Sequence, residues 1–367
     1  MSNKVKKHGG INFAQGIPGF APPQELLEIL RQKVQEPLHQ YAPGIGNHQL
    51  LNLLVQKYRK DYPFKLENFL ILQGATEALS LLFIYFKKTI KKDFSCLSFE
   101  PVYESYKNLP EIFSTPFIPF SYGADGTIDF TRLEKEIKQK NVKLIFMASP
   151  GNPYGKIWTK NEFESLLSII EKYDIKLILD SVYQELYFHR PPYIPLDQFN
   201  KNIFYVNSFS KMFSITGWRI GYLIAHEEHM EKIQAIHDYT GLCAPSILQA
   251  AIAEYLGKHT MGKSYIERLR QQLKQNYQKM VDPLKKLNFN IPATHGGYFV
   301  WASLPGEMND GFSFTMDLYE RQKVAVIPGE HFSDKSKNFI RINIAREQDE
   351  IEEGIKKIRE HFMSIHS

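Results

Sequence analysis

Ser208, Ser210, Lys211 and Arg219 stand within twelve residues of one another in the segment SFSKMFSITGWRIGY. A lysine at the mouth of an apolar crevice sheds its proton readily and can condense with a carbonyl carbon to form a Schiff base. Hydroxyls beside a guanidinium supply the directional donors that a phosphate dianion accepts. The alternative is a surface lysine, and the serines, arginine and aromatics around Lys211 argue against it. Three more segments carry comparable chemistry, each at the end of an apolar run. Gly74-Ala75-Thr76-Glu77 follows FLILQ and opens a helical pattern, so backbone N–H groups and the Thr76 hydroxyl make either an anion site or a simple cap. VKLIFMA leads into SPGNPYG, where the Asn152-Pro153 turn either holds an amide toward a crevice or is purely structural. KLILD ends in Asp180, with Tyr183 three residues on. A carboxylate there needs a cationic or hydrogen-bonding partner, such as a protonated ring nitrogen, unless it serves only as a cap.

The elements that must position these residues follow from the patterning. FLILQ, SCLSF, VKLIFMA, KLILD and IFYVN are short, nearly continuous apolar runs, as in strands buried on both faces. Helical patterns lie between several of them: ATEALSLLFIYF, FTRLEKEIKQK and KNEFESLLSIIEKY. The alternation predicts an α/β fold with a mostly parallel sheet covered by helices, whose ligands bind beyond the carboxyl ends of its strands. The first forty residues, rich in Gly and Pro with one short helix at Gln24–Val34, read as an arm lying on the rest. A helical region from Ser246 to Leu287, broken near Gly257–Gly262, precedes GGYFVWASL, KVAVIPG and FIRINIA, with helices at Ser313–Gln322 and Glu347–Phe362. This second stretch reads as a smaller α+β unit.

Composition bounds the remaining possibilities. With 367 residues, 43% hydrophobic and 23% charged, the chain has the makeup of a soluble globular protein of about two domains. A net charge of +5, spread along the chain, predicts no nucleic-acid partner. Cys96 and Cys243 are too few and too far apart for a disulfide framework or a cysteine-rich zinc site, and a reducing compartment fits them. The opening MSNKVKKHGG lacks the apolar core of a secretory signal, and the longest apolar stretch, Ala78 to Phe86, is far short of a membrane span. A cytoplasmic location and no membrane association are therefore expected. Gly257-Lys-His-Thr-Met-Gly262-Lys263-Ser264 satisfies the P-loop pattern, but SILQAAIAEYL before it is helical rather than a strand, which makes Gly257 a helix C-cap. His226 and His229 in HEEHM lack a third ligand and read as solvated surface residues, so no metal site is expected.

Taken in order, Tyr41, GATEAL, PVYESY, SPGNPYG, LDSVY, SFSKMFSITGWRIGY and FIRIN resemble the class I/II aminotransferases, the fold-type-I enzymes dependent on pyridoxal 5′-phosphate. The resemblance runs from INFAQGIPGF to FIRINIA, and INFAQGIPGF, YAPGIGNHQL and QGATEAL look most like the methionine and kynurenine (glutamine, aromatic) aminotransferases. It implies a large cofactor domain over residues 42–257 and a small domain of 1–41 with 258–367. It also implies that Lys211 carries the cofactor and moves the α-proton, that Asp180 pairs with the ring nitrogen, and that Asn152 and Tyr183 hydrogen-bond the ring hydroxyl. Tyr103 would stack on the ring. Ala75, Thr76, Ser208 and Arg219 would hold the phosphate, joined by Tyr41 from the neighbouring subunit of a homodimer. Arg341 would take the substrate α-carboxylate, helped by Asn152 and the Gly16 backbone. Two positions depart from the family pattern: Ser181 where an acidic residue is usual, and Tyr154 where a small or hydroxyl residue is common.

The expected activity is transfer of an amino group from an α-amino acid to a 2-oxo acid. A lysine that serves dicarboxylate substrates in one branch of the family is missing from Gly74-Ala75-Thr76-Glu77, and Tyr41, Tyr103, Tyr106 and Tyr154 surround the site with aromatics. Methionine, glutamine and aromatic donors are therefore favoured. The rivals are a carbon–sulfur β-lyase on the same fold, an aspartate- or alanine-type aminotransferase, and a P-loop nucleotide-binding protein.

Overall fold

The computed structural model describes residues 1–123, 125–306 and 308–364. Twelve strands occur among them: β1 Ile11–Asn12, β2 Phe69–Leu72, β3 Ser95–Glu100, β4 Phe117–Ser121, β5 Val142–Ala148, β6 Lys176–Asp180, β7 Ile203–Ser208, β8 Gly221–Ile224, β9 Phe299–Ser303, β10 Val324–Ala325, β11 Ile327–Pro328 and β12 Phe339–Asn343. The five apolar runs read from the sequence are β2, β3, β5, β6 and β7, and they join β8 and β4 in one seven-stranded sheet, ordered β2-β8-β7-β6-β5-β3-β4. Only β8 is antiparallel to its neighbours, so the other six strands point their carboxyl ends to one edge. Every residue of β2 and β7 is buried, the signature of a sheet covered on both faces. One face packs Leu97, Ile145, Leu177 and Tyr205 against the helices His48–Tyr58, Lys160–Tyr173 and Ser246–Lys258. The other packs Leu144, Ile178 and Val206 against Ala75–Thr89 and Glu227–Thr240.

The C-terminal part builds a second core. The antiparallel sheet β11-β12-β9 is covered by the helices Lys263–Lys286, Gly311–Gln322 and Gln348–Ser364. The arm enters this core through Phe13 and Phe20, and β1 pairs in parallel with β10. The helix Gln24–Lys33 does otherwise, sending Leu26 and Ile29 into the core of the large sheet. Lys263–Lys286 bridges the two, with Ile266 in the large core and Leu273, Met280 and Leu284 in the small one.

Three sequence expectations need correction or extension. His229 is not a solvated surface residue but 8% exposed, because Glu227–Thr240 packs His229, Met230, Ile233 and His237 as one helical face. Its Nδ1 lies 2.7 Å from the Tyr85 hydroxyl and its Nε2 lies 2.9 Å from the Lys201 carbonyl, while burial lowers its pKa. Gly257 is not the C-cap; the helix continues through it to Lys258, and the chain turns at Thr260–Gly262, where Thr260, Met261 and Gly262 all have positive φ. The helical setting that argued against a P-loop is nonetheless present. Unforeseen elements include β4, whose Pro119 suits an edge strand, β8, and the helices Ser2–His8, His48–Tyr58, Glu104–Ile112 and Glu227–Thr240.

Candidate active site

The carboxyl edge of the sheet collects the reactive groups. Beyond β7 the chain forms the helical turn Phe209–Met212, capped by Ser208, whose Oγ accepts the Ser210 N–H at 3.1 Å and donates to the Ile220 carbonyl at 3.0 Å. Lys211 projects from this turn. Its Nζ donates to the Gly16 carbonyl at 2.7 Å and stands 5.8 Å from the centre of the Tyr183 ring. Burial, with the nearby charge of Arg341 and Arg219, lowers its pKa to about 8, against an opposing pull from Asp180. At the end of β6, buried Asp180 accepts from the Tyr106 hydroxyl at 2.8 Å and from the Val182 N–H at 3.2 Å. Burial raises its pKa, while those two donors and Lys211 work the other way.

Past β2 lies an anion-binding corner. Gly74 caps the fifteen-residue helix Ala75–Thr89 at φ 85°, ψ 173°, a backbone region essentially confined to glycine. A Cβ there would meet Arg219 Nη2 at 2.5 Å, so glycine also makes room for the guanidinium. Arg219, itself in the left-handed region, donates to the Thr216 carbonyl at 3.1 Å and the Gln73 carbonyl at 3.2 Å. The helix N-terminus, the Thr76 and Ser208 hydroxyls and Arg219 together form a donor set suited to a phosphate dianion.

The opposite wall comes from the second core. Arg341 on β12 lies between the rings of Phe299, at 4.2 Å, and Phe332, at 4.8 Å. It donates through Nη1 to Asn152 Oδ1 at 2.8 Å and through Nη2 to the Ala14 carbonyl at 2.7 Å. Burial lowers its pKa to about 10, so it remains charged at neutral pH.

These walls enclose a cavity of about 280 Å³, lined by every site candidate named from the sequence except Tyr41 and Tyr154, the latter lining a small neighbouring cavity with Tyr103 and Asn152. Tyr41 is 82% exposed and does not reach the cavity of its own chain. Gly16 is present, but its carbonyl meets Lys211 rather than Arg341. Glu104, His331 and Phe332 also line the cavity and were given no role from sequence, and Tyr106, read only as part of the aromatic surround, bonds Asp180. The PVYESY segment carried a signal for Tyr106, three residues after Tyr103 at a helix start, whereas nothing local marked His331 or Phe332. The donor set fits pyridoxal 5′-phosphate: an anion corner made possible by Gly74, an amine of depressed basicity beside it, and a buried carboxylate for a ring nitrogen. Among the described residues, no group of three or more His, Cys, Asp or Glu side chains is placed to hold a metal ion, and no helix is long and apolar enough to cross a membrane.

A family model described as aminotransferase class I and II matches residues 8–358. A probable aspartate aminotransferase of Methanocaldococcus jannaschii is 28% identical over 361 residues, covering 96% of this chain and 93% of its own. A probable N-acetyl-LL-diaminopimelate aminotransferase of Bacillus subtilis is 25% identical, covering 98% of this chain and 91% of its own. Among solved structures, the methionine aminotransferase YbdL of Escherichia coli superposes with a TM-score of 0.89 at 24% identity, over 98% of this chain and 95% of that one.

Proposed function

The chain belongs to the aminotransferase class I and II family, as a fold-type-I transaminase that uses pyridoxal 5′-phosphate, and we propose that its amino donors are α-amino acids with uncharged side chains, methionine, glutamine and aromatic residues foremost, with 2-oxo acids as acceptors. One observation carries this reading. Among the described residues lining the cavity, the basic side chains are Lys211, Arg219, Arg341 and His331, and none stands free for a distal carboxylate. Lys211 and Arg219 face the cofactor region, Arg341 is anchored where it can take the α-carboxylate, and His331 is paired with Glu104 at 2.6 Å. The aspartate aminotransferase among the relatives supports the other reading, a dicarboxylic donor.

When bound, pyridoxal 5′-phosphate supplies the electron sink that makes a Cα proton acidic. Every other task falls to side chains. Lys211, with a pKa of about 8, is partly neutral near neutral pH and can act as nucleophile and then as carrier of the α-proton. Asp180 would hold a proton on the cofactor's ring nitrogen, with the Tyr106 hydroxyl bond favouring its charged form. Asn152 and Tyr183 would hydrogen-bond the ring hydroxyl, and Tyr103 would stack on the ring. Ala75, Thr76, Ser208 and Arg219 would bind the phosphate. Arg341, fixed by Asn152 and Ala14 and held between two rings, grips the α-carboxylate in one orientation, which selects the Cα bond to be broken.

The reading includes a homodimer with shared sites. Tyr41, Tyr239 and Leu242 are exposed apolar groups (82%, 93% and 45%), and a Cβ built on Gly44 would lie 3.7 Å from the Leu242 carbonyl, which draws the 41–44 turn and the 239–242 turn together. A second copy of the chain covering this face would bring its own Tyr41 to the phosphate corner. It also divides the chain into a large unit, 42–257, and a small unit, 1–41 with 258–367, the helix Gln24–Lys33 being the part of the first segment that docks on the large core. The deciding experiment compares kcat/KM for methionine, phenylalanine, glutamine and aspartate. Methionine, phenylalanine or glutamine should lead, and aspartate ahead of all three would overturn the reading.

A further inference from the structure

Two acid–base side chains at the cavity have no part in the chemistry above. Glu104 opens the helix Glu104–Ile112 on the large unit, and His331 ends the turn Gly329–His331 on the small one. Their side chains meet across the cavity, His331 Nε2 to Glu104 Oε2 at 2.6 Å, with each about half-exposed. The contact is held from both sides rather than resting on two free side chains. The Val102 N–H donates to the Phe332 carbonyl at 3.1 Å, and the Ser333 hydroxyl donates to Glu100 Oε1 at 2.9 Å, tying the His331 turn to the end of β3. Phe332, the next residue, is the ring that packs on Arg341. Glu104 is also near enough to Arg341 for its charge to favour the protonated guanidinium.

An amino acid held by its α-carboxylate at Arg341, with its α-carbon facing Lys211, must send its side chain along the remaining lining, past Ile17, Phe332 and this pair. We propose that the Glu104–His331 pair is the specificity-determining element for the substrate's distal group, rejecting a carboxylate by keeping the one otherwise available cation occupied. The inference rests on the proposed placement of the substrate against Arg341. With His331 protonated, the pair is neutral and offers a distal carboxylate no uncompensated charge. With His331 neutral, Glu104 is left as an unmatched anion and repels it. Other charges around His331 are Glu330, Asp334, Lys337 and Lys4 in the adjoining groove, with Arg341 on the cavity side. Lys4 is paired with Glu320 at 2.7 Å, and Met1 also lines that groove.

Glu104→Gln tests this, because it keeps the shape of the side chain but releases the charge on His331. The readout is the ratio of kcat/KM for glutamate to kcat/KM for methionine, in the holoenzyme. At pH 6 the ratio should rise about fivefold in Glu104→Gln, the upper range for a half-exposed ion pair. The pH 6 gain should vanish in Glu104→Gln/His331→Gln. A ratio unchanged at pH 6, or a gain that survives in the double variant, would overturn the proposal. Failure of the broader reading looks different: a parent enzyme that already prefers aspartate or glutamate to methionine overturns the neutral-substrate assignment, whatever the Glu104 variant does.

Discussion

Tyr106→Phe should move the acidic limb of the enzyme's pH profile upward. The Tyr106 hydroxyl donates to buried Asp180 at 2.8 Å, and its ring stacks on Phe146 with centroids 5.5 Å apart and planes 9° from parallel. Phenylalanine keeps the ring and the stack and removes only the donor. A hydrogen bond to a charged group contributes about 1.5–3 kcal/mol. At about 1.36 kcal/mol per pH unit, its loss raises the pKa of Asp180 by about one to two units. The sign is set by geometry: burial already pushes this carboxyl up, and Tyr106 is first among the groups that restrain it, ahead of the Val182 N–H and Lys211. Because the charged carboxylate is the form that holds a proton on the ring nitrogen, activity should be lost at a higher pH than in the parent. Single-turnover rates with methionine from pH 5 to 9 measure this directly. The acidic midpoint should rise by about one to two units, with rates near the parent's on the alkaline side. A uniform fall at every pH with an unmoved midpoint would refute the argument and reduce Tyr106 to a packing residue.

Lys211 in the cofactor-free protein should react with an acylating reagent with a midpoint near pH 8, because above its pKa of about 8 the amine is neutral; peptide mapping of the label across pH checks this, and a midpoint above 10 would contradict it. Arg341→Met should shift that midpoint upward, since the charge of Arg341 is one of the causes that depress it. Gly74→Ala should weaken cofactor binding at least tenfold with the far-ultraviolet circular dichroism unchanged, because the backbone conformation alone costs about 1–3 kcal/mol and the new methyl group would meet Arg219 at 2.5 Å; equilibrium dialysis at parent affinity would disprove the clash. Mixed Tyr41→Phe and Lys211→Ala subunits should give hybrid dimers with one intact site and one carrying both changes, and activity no greater than the sum of the separate variants would refute site sharing.

Local sequence marked the reactive residues wherever chemistry follows an apolar strand. Ser208 at the end of β7 with Lys211 beyond it, Asp180 at the end of β6, Asn152 after β5 and Thr76 after β2 were legible because a buried parallel strand declares itself in a run of a few residues, and its carboxyl end is where such sheets bind ligands. Arg341 was different: FIRIN reads only as a strand, and its arginine gained a role through the order of motifs along the whole chain. HEEHM illustrates the limit of local reading, because its polar residues read as a solvated face, whereas His229 is buried against Ala75–Thr89, a neighbour far away in sequence. β8 escaped notice for a similar reason, since its four residues lie beside the densest functional segment and pair with β2 and β7 only after the sheet has formed.

Residue types, strand and helix periods and the fold class they imply were therefore determined by the sequence alone, since periodicity is a property of a few adjacent residues and needs no partner. The state of the site was decided by tertiary structure. The Gly16 carbonyl reaches Lys211 across 195 positions and Tyr106 reaches Asp180 across 74, while Glu104 meets His331 from a different unit of the chain. The depressed pKa of Lys211 and the raised pKa of Asp180 come chiefly from burial, which exists only once both cores are packed. A side chain's charge depends on the solvent and neighbours it is left with, and contacts that distant in sequence leave no local period to read.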